Sequence, residues 1–166
     1  MSRARTHHRR RTSEEREVLV SQLQGGRAHA AVVATLAAFP MRLRSKKPRS
    51  AAHTPWQLLE HLRIAQRDIL DFSRDPEHPS PAWPEEFWPE RATPPDARAW
   101  ERSVKSFSRD LRELVAIARD PELDLGARIP GTRTSWFGQL CLAASHNSYH
   151  LGQLAQLRRL LSAGRA

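Results

Sequence analysis

Two histidines lie four residues apart in the segment SHNSYHLGQL, residues 145–154, which otherwise has the composition of a buried helix. Residues four apart share one face of an α-helix, about 6 Å apart along its axis. Two imidazoles at that spacing can bind a single divalent metal ion. The pair His146 and His150 therefore indicates metal chemistry, although the HxxxH spacing alone is also common in helices without a metal.

The helix that carries this pair is predicted to run from about residue 134 or 135 to about residue 161. At about 100° per residue, His150 lies roughly 40° round the helix from His146. Leu154 and Leu157 fall in the same sector. Both imidazoles are therefore expected to face the interior of the protein.

A third histidine, His61, has the same character in the segment HTPWQLLEHLRIAQRDILDF, which has a clear helix start. Thr54 is the predicted N-cap, Pro55 occupies the first helical position and Gln57 completes a capping box. His61 lies at the edge of the apolar stripe of this second predicted helix. Three imidazoles from two helices could thus converge.

Two explanations fit three inward-facing imidazoles. In the first, each ring is neutral and makes a local hydrogen bond, as a single core histidine ordinarily does. In the second, a divalent ion takes a lone pair from each ring and removes the cost of burying it unpaired, about 1–3 kcal/mol. Three nitrogen ligands leave a coordination position open for water or substrate. The residues alone leave both explanations open.

The elements that position these rings are helical, because apolar residues recur at helical spacing and no alternating strand pattern persists. The remaining two helices are predicted at about Ser13–Phe39 and Asp96–Arg119. Four amphipathic helices predict an all-α protein with the fold of a four-helix bundle.

A long proline-rich crossover is predicted between helices two and three. Residues 73–95 contain seven of the twelve prolines, which excludes a continuous helix there. The same segment carries Trp83, Phe87 and Trp88, so we expect it to be ordered and packed on the bundle. Ordinary packing of these aromatic residues or a roof over the metal cavity are both consistent with the sequence.

The formal net charge of +9 is concentrated outside the predicted bundle. Residues 1–12 are predicted to be a disordered basic tail, and residues 13–166 a single domain. A second basic run, MRLRSKKPRS at 41–50, has the composition of a loop. The tail suits weak nucleic-acid binding, but the chain lacks the motifs of a specific nucleic-acid-binding protein. Nucleic acid is therefore a less favoured partner than a small molecule.

Several protein classes are disfavoured by composition. The chain has one cysteine, Cys141, which excludes an internal disulfide framework. No apolar run approaches the roughly 20 residues of a membrane span, and the N-terminus has no secretory signal pattern. These observations predict a cytoplasmic protein without a membrane partner. Cys141 lies away from the histidine face and is expected to be a packed residue rather than a nucleophile.

The histidine-bearing helix has a second apolar face, which predicts burial on both sides. We expect this second face to help form a twofold homodimer. Its members are Phe137, Leu140, Cys141, Ala144, Leu151 and Ala155.

Three more residues are candidates for the site. His29 is placed by helical spacing on the inner face of the first predicted helix, where it could act at the open coordination side or simply pack in the core. Glu60 and Gln153 neighbour the proposed ligands and could orient an imidazole as hydrogen-bond acceptors. Exposure on a helix surface explains those two residues equally well.

The segments TPWQLLEHLRIAQRDIL and HNSYHLGQLAQLRRLL together resemble the DinB/YfiT-like superfamily of metalloenzymes, along residues 14–161. The resemblance implies a four-helix bundle, often dimeric, in which three histidines hold a divalent metal. The implied ligands are His61, His146 and His150. Ser145 departs from the acidic residue found before the first histidine in many relatives.

The expected function is a metal-dependent enzyme that activates a low-molecular-weight thiol, as an S-transferase, or water, as a hydrolase. The inner helix faces carry no carboxylate to act as a general base, which favours thiol transfer because a metal-held thiolate is already a nucleophile. Zinc or nickel is the favoured ion, with iron or manganese as alternatives. The alternative function is a bundle that a metal stabilises without catalysis.

Overall fold

The computed structural model describes the backbone of residues 2–164 and the side chains of residues 13–164. Within that range the protein is all-α, as predicted, with no strand beyond an isolated bridge between Arg128 and Ser135. The helices are α1 (Ser2–Gln24), α2 (Val32–Ala37), α3 (Pro55–Arg74), α4 (Ala99–Arg119) and α5 (Trp136–Ser162). None of the described helices combines the length and apolarity that a membrane span requires.

The prediction of one helix over Ser13–Phe39 is wrong at both ends. The helix α1 begins at Ser2, so Ser13 is not its N-cap, and it ends at Gln24. Gly25 and Gly26 follow with φ of 71° and 97°, a left-handed conformation that ends helices. A Cβ on Gly25 would lie 2.8 Å from the His29 ring, so this close turn requires glycine. The division of the chain into a tail of residues 1–12 and a domain of residues 13–166 stays a prediction, and the side chains of residues 1–12 lie outside the described residues.

The start of α3 has the predicted capping box. Thr54 Oγ1 accepts a hydrogen bond from Gln57 N, and the Gln57 side chain accepts one from Thr54 N. Pro55 is the first helical residue, also as predicted. Thr54 Oγ1 further donates to Ala92 O, 2.7 Å away, which links the start of α3 to the segment before α4.

The four long helices share one apolar core. The helix α3 packs against α4 and α5, and α1 packs against the same two helices from its own side. Trp100 and Phe107 of α4 are the largest fully buried side chains of this core, and Trp100 Nε1 donates to Leu36 O at 3.0 Å. Because α3 and α5 pack together, the inner faces that carry the histidines meet.

The segment between α3 and α4 is ordered around a short 3₁₀ turn at Glu85–Phe87. The Phe87 side chain is buried and Trp88 packs against the core, whereas Trp83 is 72% exposed. Residues 87 and 88 therefore lie against the helices, and Trp83 does not.

Replacing Thr54 with Ala is expected to lower the free energy of unfolding by about 1–2 kcal/mol, because both the cap and the link to Ala92 are lost. Urea denaturation measures the change. Thr93→Ala, an exposed threonine of the same connecting segment, is the control and should change stability by less than about 0.5 kcal/mol. Equal effects of the two substitutions would contradict the capping role.

Candidate metal centre

The structure brings His61, His146 and His150 together between α3 and α5. The Nε2 atom of His61 lies 3.1 Å from Nε2 of His150 and 3.1 Å from Nε2 of His146. One ring nitrogen from each histidine lies within 4.8 Å of the other two. His61 and His150 are buried and His146 is half-buried. The predicted convergence of the three rings is therefore present.

The outer nitrogens of two rings are fixed by carbonyl oxygens. His61 Nδ1 lies 2.8 Å from the backbone oxygen of Phe87, and His150 Nδ1 lies 2.7 Å from Oε1 of Gln153. Because a carbonyl oxygen only accepts, each Nδ1 carries the proton in these hydrogen bonds. The Nε2 atoms of His61 and His150 consequently bear lone pairs, and these lone pairs face each other.

Facing lone pairs at 3.1 Å repel unless a cation lies between them. Burial lowers the pKa of all three histidines, so protons are a poor source of that charge at neutral pH. The shift is largest for His146, where burial and the neighbouring His150 and His61 lower the pKa to about 4. Three neutral nitrogen donors fit a divalent ion such as zinc, so this cluster can hold a metal.

An aromatic stack covers one side of the cluster. The ring of Trp88 lies parallel to that of His61, with 3.9 Å between centroids and 3° between planes. His53 stacks on the other face of Trp88 at 3.8 Å. Trp88 and the Phe87 carbonyl thus both position His61, whereas the exposed Trp83 lies edge-on to the Phe87 ring. Sequence reasoning assigned His53 no role, because a loop histidine carries no periodicity that would place it.

The two candidate acceptors have different outcomes. Gln153 accepts from His150, so its predicted orienting contact is present. Glu60 instead accepts three hydrogen bonds from the Arg63 guanidinium one turn later. The carboxylate of Glu60 is therefore used in an ion pair within α3, and Glu60 is buried rather than exposed on the helix surface.

His29 does not lie on a helix, because the break at Gly25 and Gly26 puts it in the loop before α2. Its Nδ1 lies 2.9 Å from Ala30 O and its Nε2 lies 2.9 Å from Ser148 Oγ. Ser148 is two residues from each α5 histidine, hence about 160° round the helix from either. His29 is not part of the three-histidine cluster, and its catalytic role stays a prediction that these contacts do not favour.

The second apolar face of α5 is largely covered inside the chain. Leu140, Ala144 and Leu151 are buried, and α1 packs along α5. Phe137 remains 47% exposed. Cys141 is half-buried and burial raises the pKa of its thiol, which is the opposite of what an active nucleophile needs.

A cavity of about 300 Å³ adjoins the outer contacts of the cluster. His53 and Gln153 lie in its polar wall, and Leu58, Leu157 and Leu160 form its apolar wall. A small molecule in this cavity could therefore contact Gln153, which bonds His150, and His53, which stacks on Trp88.

Comparison with known proteins identifies a family. Residues 24–154 match the family model of the DinB superfamily, which includes α3, α4 and the part of α5 that carries the histidine pair. No curated protein and no solved structure shows significant similarity to the chain.

In metal-free protein, the free energy of unfolding is expected to fall as the pH drops from 6.5 toward 4. Folded His146 has the lower pKa, so in this window the unfolded chain binds more protons. Urea midpoints across the window measure the slope. His146→Leu should make that slope shallower, and an unchanged slope would show that His146 is not the group responsible.

Proposed function

Because the chain belongs to the DinB superfamily and joins three histidines in its interior, we propose that it is a metal-dependent enzyme. The ligands are His61, His146 and His150, with zinc or nickel as the favoured ion. The observation that carries the proposal is the position of the Nε2 atoms of His61 and His150, which lie 3.1 Å apart with their lone pairs facing each other.

The residues around the cluster favour thiol chemistry over hydrolysis. When bound, a divalent ion favours ionisation of a thiol or a water at its open position. Among the described side chains, the hydrogen-bond partners of the three histidines include no carboxylate that could act as a general base. Transfer of a small-molecule thiol to an electrophile needs no such base once the thiolate has formed.

The cavity beside His53 and Gln153 is the proposed substrate site. Its volume is at the small end of the range for ligand pockets. The basic loop residues Lys46, Lys47 and Arg49 are exposed and shortly precede His53 in the sequence. The charge of Lys47 adds to burial in lowering the pKa of His53. A small molecule with an anionic group and an aliphatic part fits these surroundings.

The wider architecture is proposed to be a four-helix bundle whose crossover is the proline-rich segment between α3 and α4. We also propose a cytoplasmic homodimer in which a second copy covers the exposed part of the α1–α5 surface. Phe137 and Val18, 47% and 44% exposed, line one groove on that surface. Light scattering at micromolar concentration tests the dimer.

A structural metal is the second candidate function. The cluster lies between α3 and α5, so an ion there would cross-link two core helices without any chemistry. Nucleic-acid binding depends on residues 1–12, whose side chains lie outside the described residues.

Protein purified without a nickel column is expected to contain one divalent ion per chain by elemental analysis. His61→Ala should weaken that binding by more than about 100-fold, since loss of a ligand exceeds the effect of losing a residue that orients one. His78→Ala is the control, because His78 bonds Asp68 at the surface and is outside the cluster. Equal affinity of the two variants would exclude His61 as a ligand.

His150→Ala distinguishes catalysis from a structural role. An enzyme should lose turnover in a screen of small thiols with electrophilic acceptors, while the far-ultraviolet circular dichroism of the variant stays unchanged. A structural site should instead show no turnover in wild type and a large loss of Tm on chelation. Cys141→Ser is the control and should keep wild-type turnover, because Cys141 does not touch the cluster.

A further inference from the structure

Two buried amide side chains, Gln66 of α3 and Asn147 of α5, link the backbone of α4 to the residue next to His146. Gln66 Nε2 donates to the backbone oxygen of Phe107 at 2.7 Å, and Asn147 Nδ2 donates to Gln66 Oε1 at 2.9 Å. Gln66 is 0% exposed and Asn147 is 1% exposed. Burial of polar groups at this depth costs free energy unless they are hydrogen-bonded, so the presence of these two amides in the core requires explanation.

Two buried side-chain atoms next to one another in sequence at this point have no hydrogen-bond partner. His146 Nδ1 and Asn147 Oδ1 are both buried without a hydrogen bond, and they belong to consecutive residues of α5. One can be a donor and the other is an acceptor. Asn147 also lies close enough to raise the pKa of His146, against the stronger effect of burial, as a hydrogen bond to the ring would.

The directions of both hydrogen bonds made by Gln66 are fixed by the Phe107 backbone oxygen. The Phe107 backbone oxygen can only accept, so Gln66 must present its amide nitrogen to it and its oxygen to Asn147. Asn147 must then present its own nitrogen to Gln66, which leaves Oδ1, without a partner, as the acceptor available to the neighbouring His146 ring. An acceptor at that place selects the tautomer of His146 that carries its proton on Nδ1.

We propose that Asn147 and Gln66 are positioning residues that hold His146 with Nδ1 protonated and the lone pair of Nε2 directed at His61. The inference rests on the proposed metal site and completes it, because His61 and His150 already have their Nδ1 protons held by Phe87 O and Gln153 Oε1. All three ligands then present unprotonated Nε2 atoms to one point.

The tautomer is measured in metal-free, ¹⁵N-labelled protein at neutral pH, from long-range ¹H–¹⁵N couplings of the imidazole rings. Wild-type His146 is expected to carry its proton on Nδ1. In Asn147→Leu the acceptor is lost, and Nε2–H of His146 can donate to His61 Nε2, which only accepts. The variant should therefore switch to the Nε2–H tautomer, and its metal affinity should fall about 10- to 100-fold.

Ser73→Ala is the control, because it removes a buried polar side chain of α3 whose hydrogen bond is to Ile69 O of the same helix. It should leave both the tautomer and the metal affinity unchanged. A wild-type His146 protonated on Nε2 would overturn the proposal, and this readout needs no variant to fold. An Asn147→Leu variant that keeps the Nδ1 proton and wild-type affinity would also overturn it. Absence of metal binding by wild type would refute the proposed function alone, since the tautomer is read without metal.

Discussion

Three imidazole nitrogens approach one another closely between α3 and α5, and this approach determines what the site can bind. The His61 Nε2 atom lies 3.1 Å from the corresponding atoms of both α5 histidines. The Nδ1 protons of His61 and His150 are engaged by other groups, so the contact between these two rings places two lone pairs against each other. Burial disfavours protonated rings, so a metal ion is a better source of positive charge for this cluster than a proton, and the cluster could hold one. Without a cation the facing lone pairs repel, and a bound metal ion would remove that repulsion. The cluster is therefore consistent with a metal-binding family.

The contacts that hold the rings come from three different sources. The connecting segment supplies the Phe87 carbonyl and the Trp88 ring, and α5 itself supplies Gln153. For His146 the proposed support is the pair of buried amides, Asn147 of α5 and Gln66 of α3. Such outer contacts set ring orientation and basicity in metal sites. Because they originate in separate elements, the site depends on the packing of the whole domain rather than on one motif.

Regular helices and their inward faces could be predicted from the sequence, and irregular segments could not. The capping box at Thr54 and Gln57 and the register of His146 and His150 depend on local chemistry and on the helical period, both of which are visible in the sequence. The break at Gly25 was missed because Val18, Val33 and Leu36 fall in one sector of a continuous helix, although two adjacent glycines were the available signal. His29 was misplaced for the same reason.

Contacts made by loops and by the buried amides lay beyond sequence reasoning. The stacking of His53 and Trp88 depends on the path of two connecting segments, and no periodicity describes such a path. Asn147 is next to His146 in sequence, yet its proposed role depends on Gln66 and on a backbone oxygen of a third helix. Gln153 was within reach because it follows His150 by three residues on the same helix.

The acceptor that holds His61 is a main-chain oxygen, and this has an evolutionary consequence. Residue 87 can change its side chain without removing the atom that receives the imidazole proton. Selection on that contact would act on the route of the loop, through its prolines and the packing of Trp88 against the core, instead of on the side chain of residue 87. Relatives could therefore diverge widely along this stretch of chain while retaining the same support for their ligand.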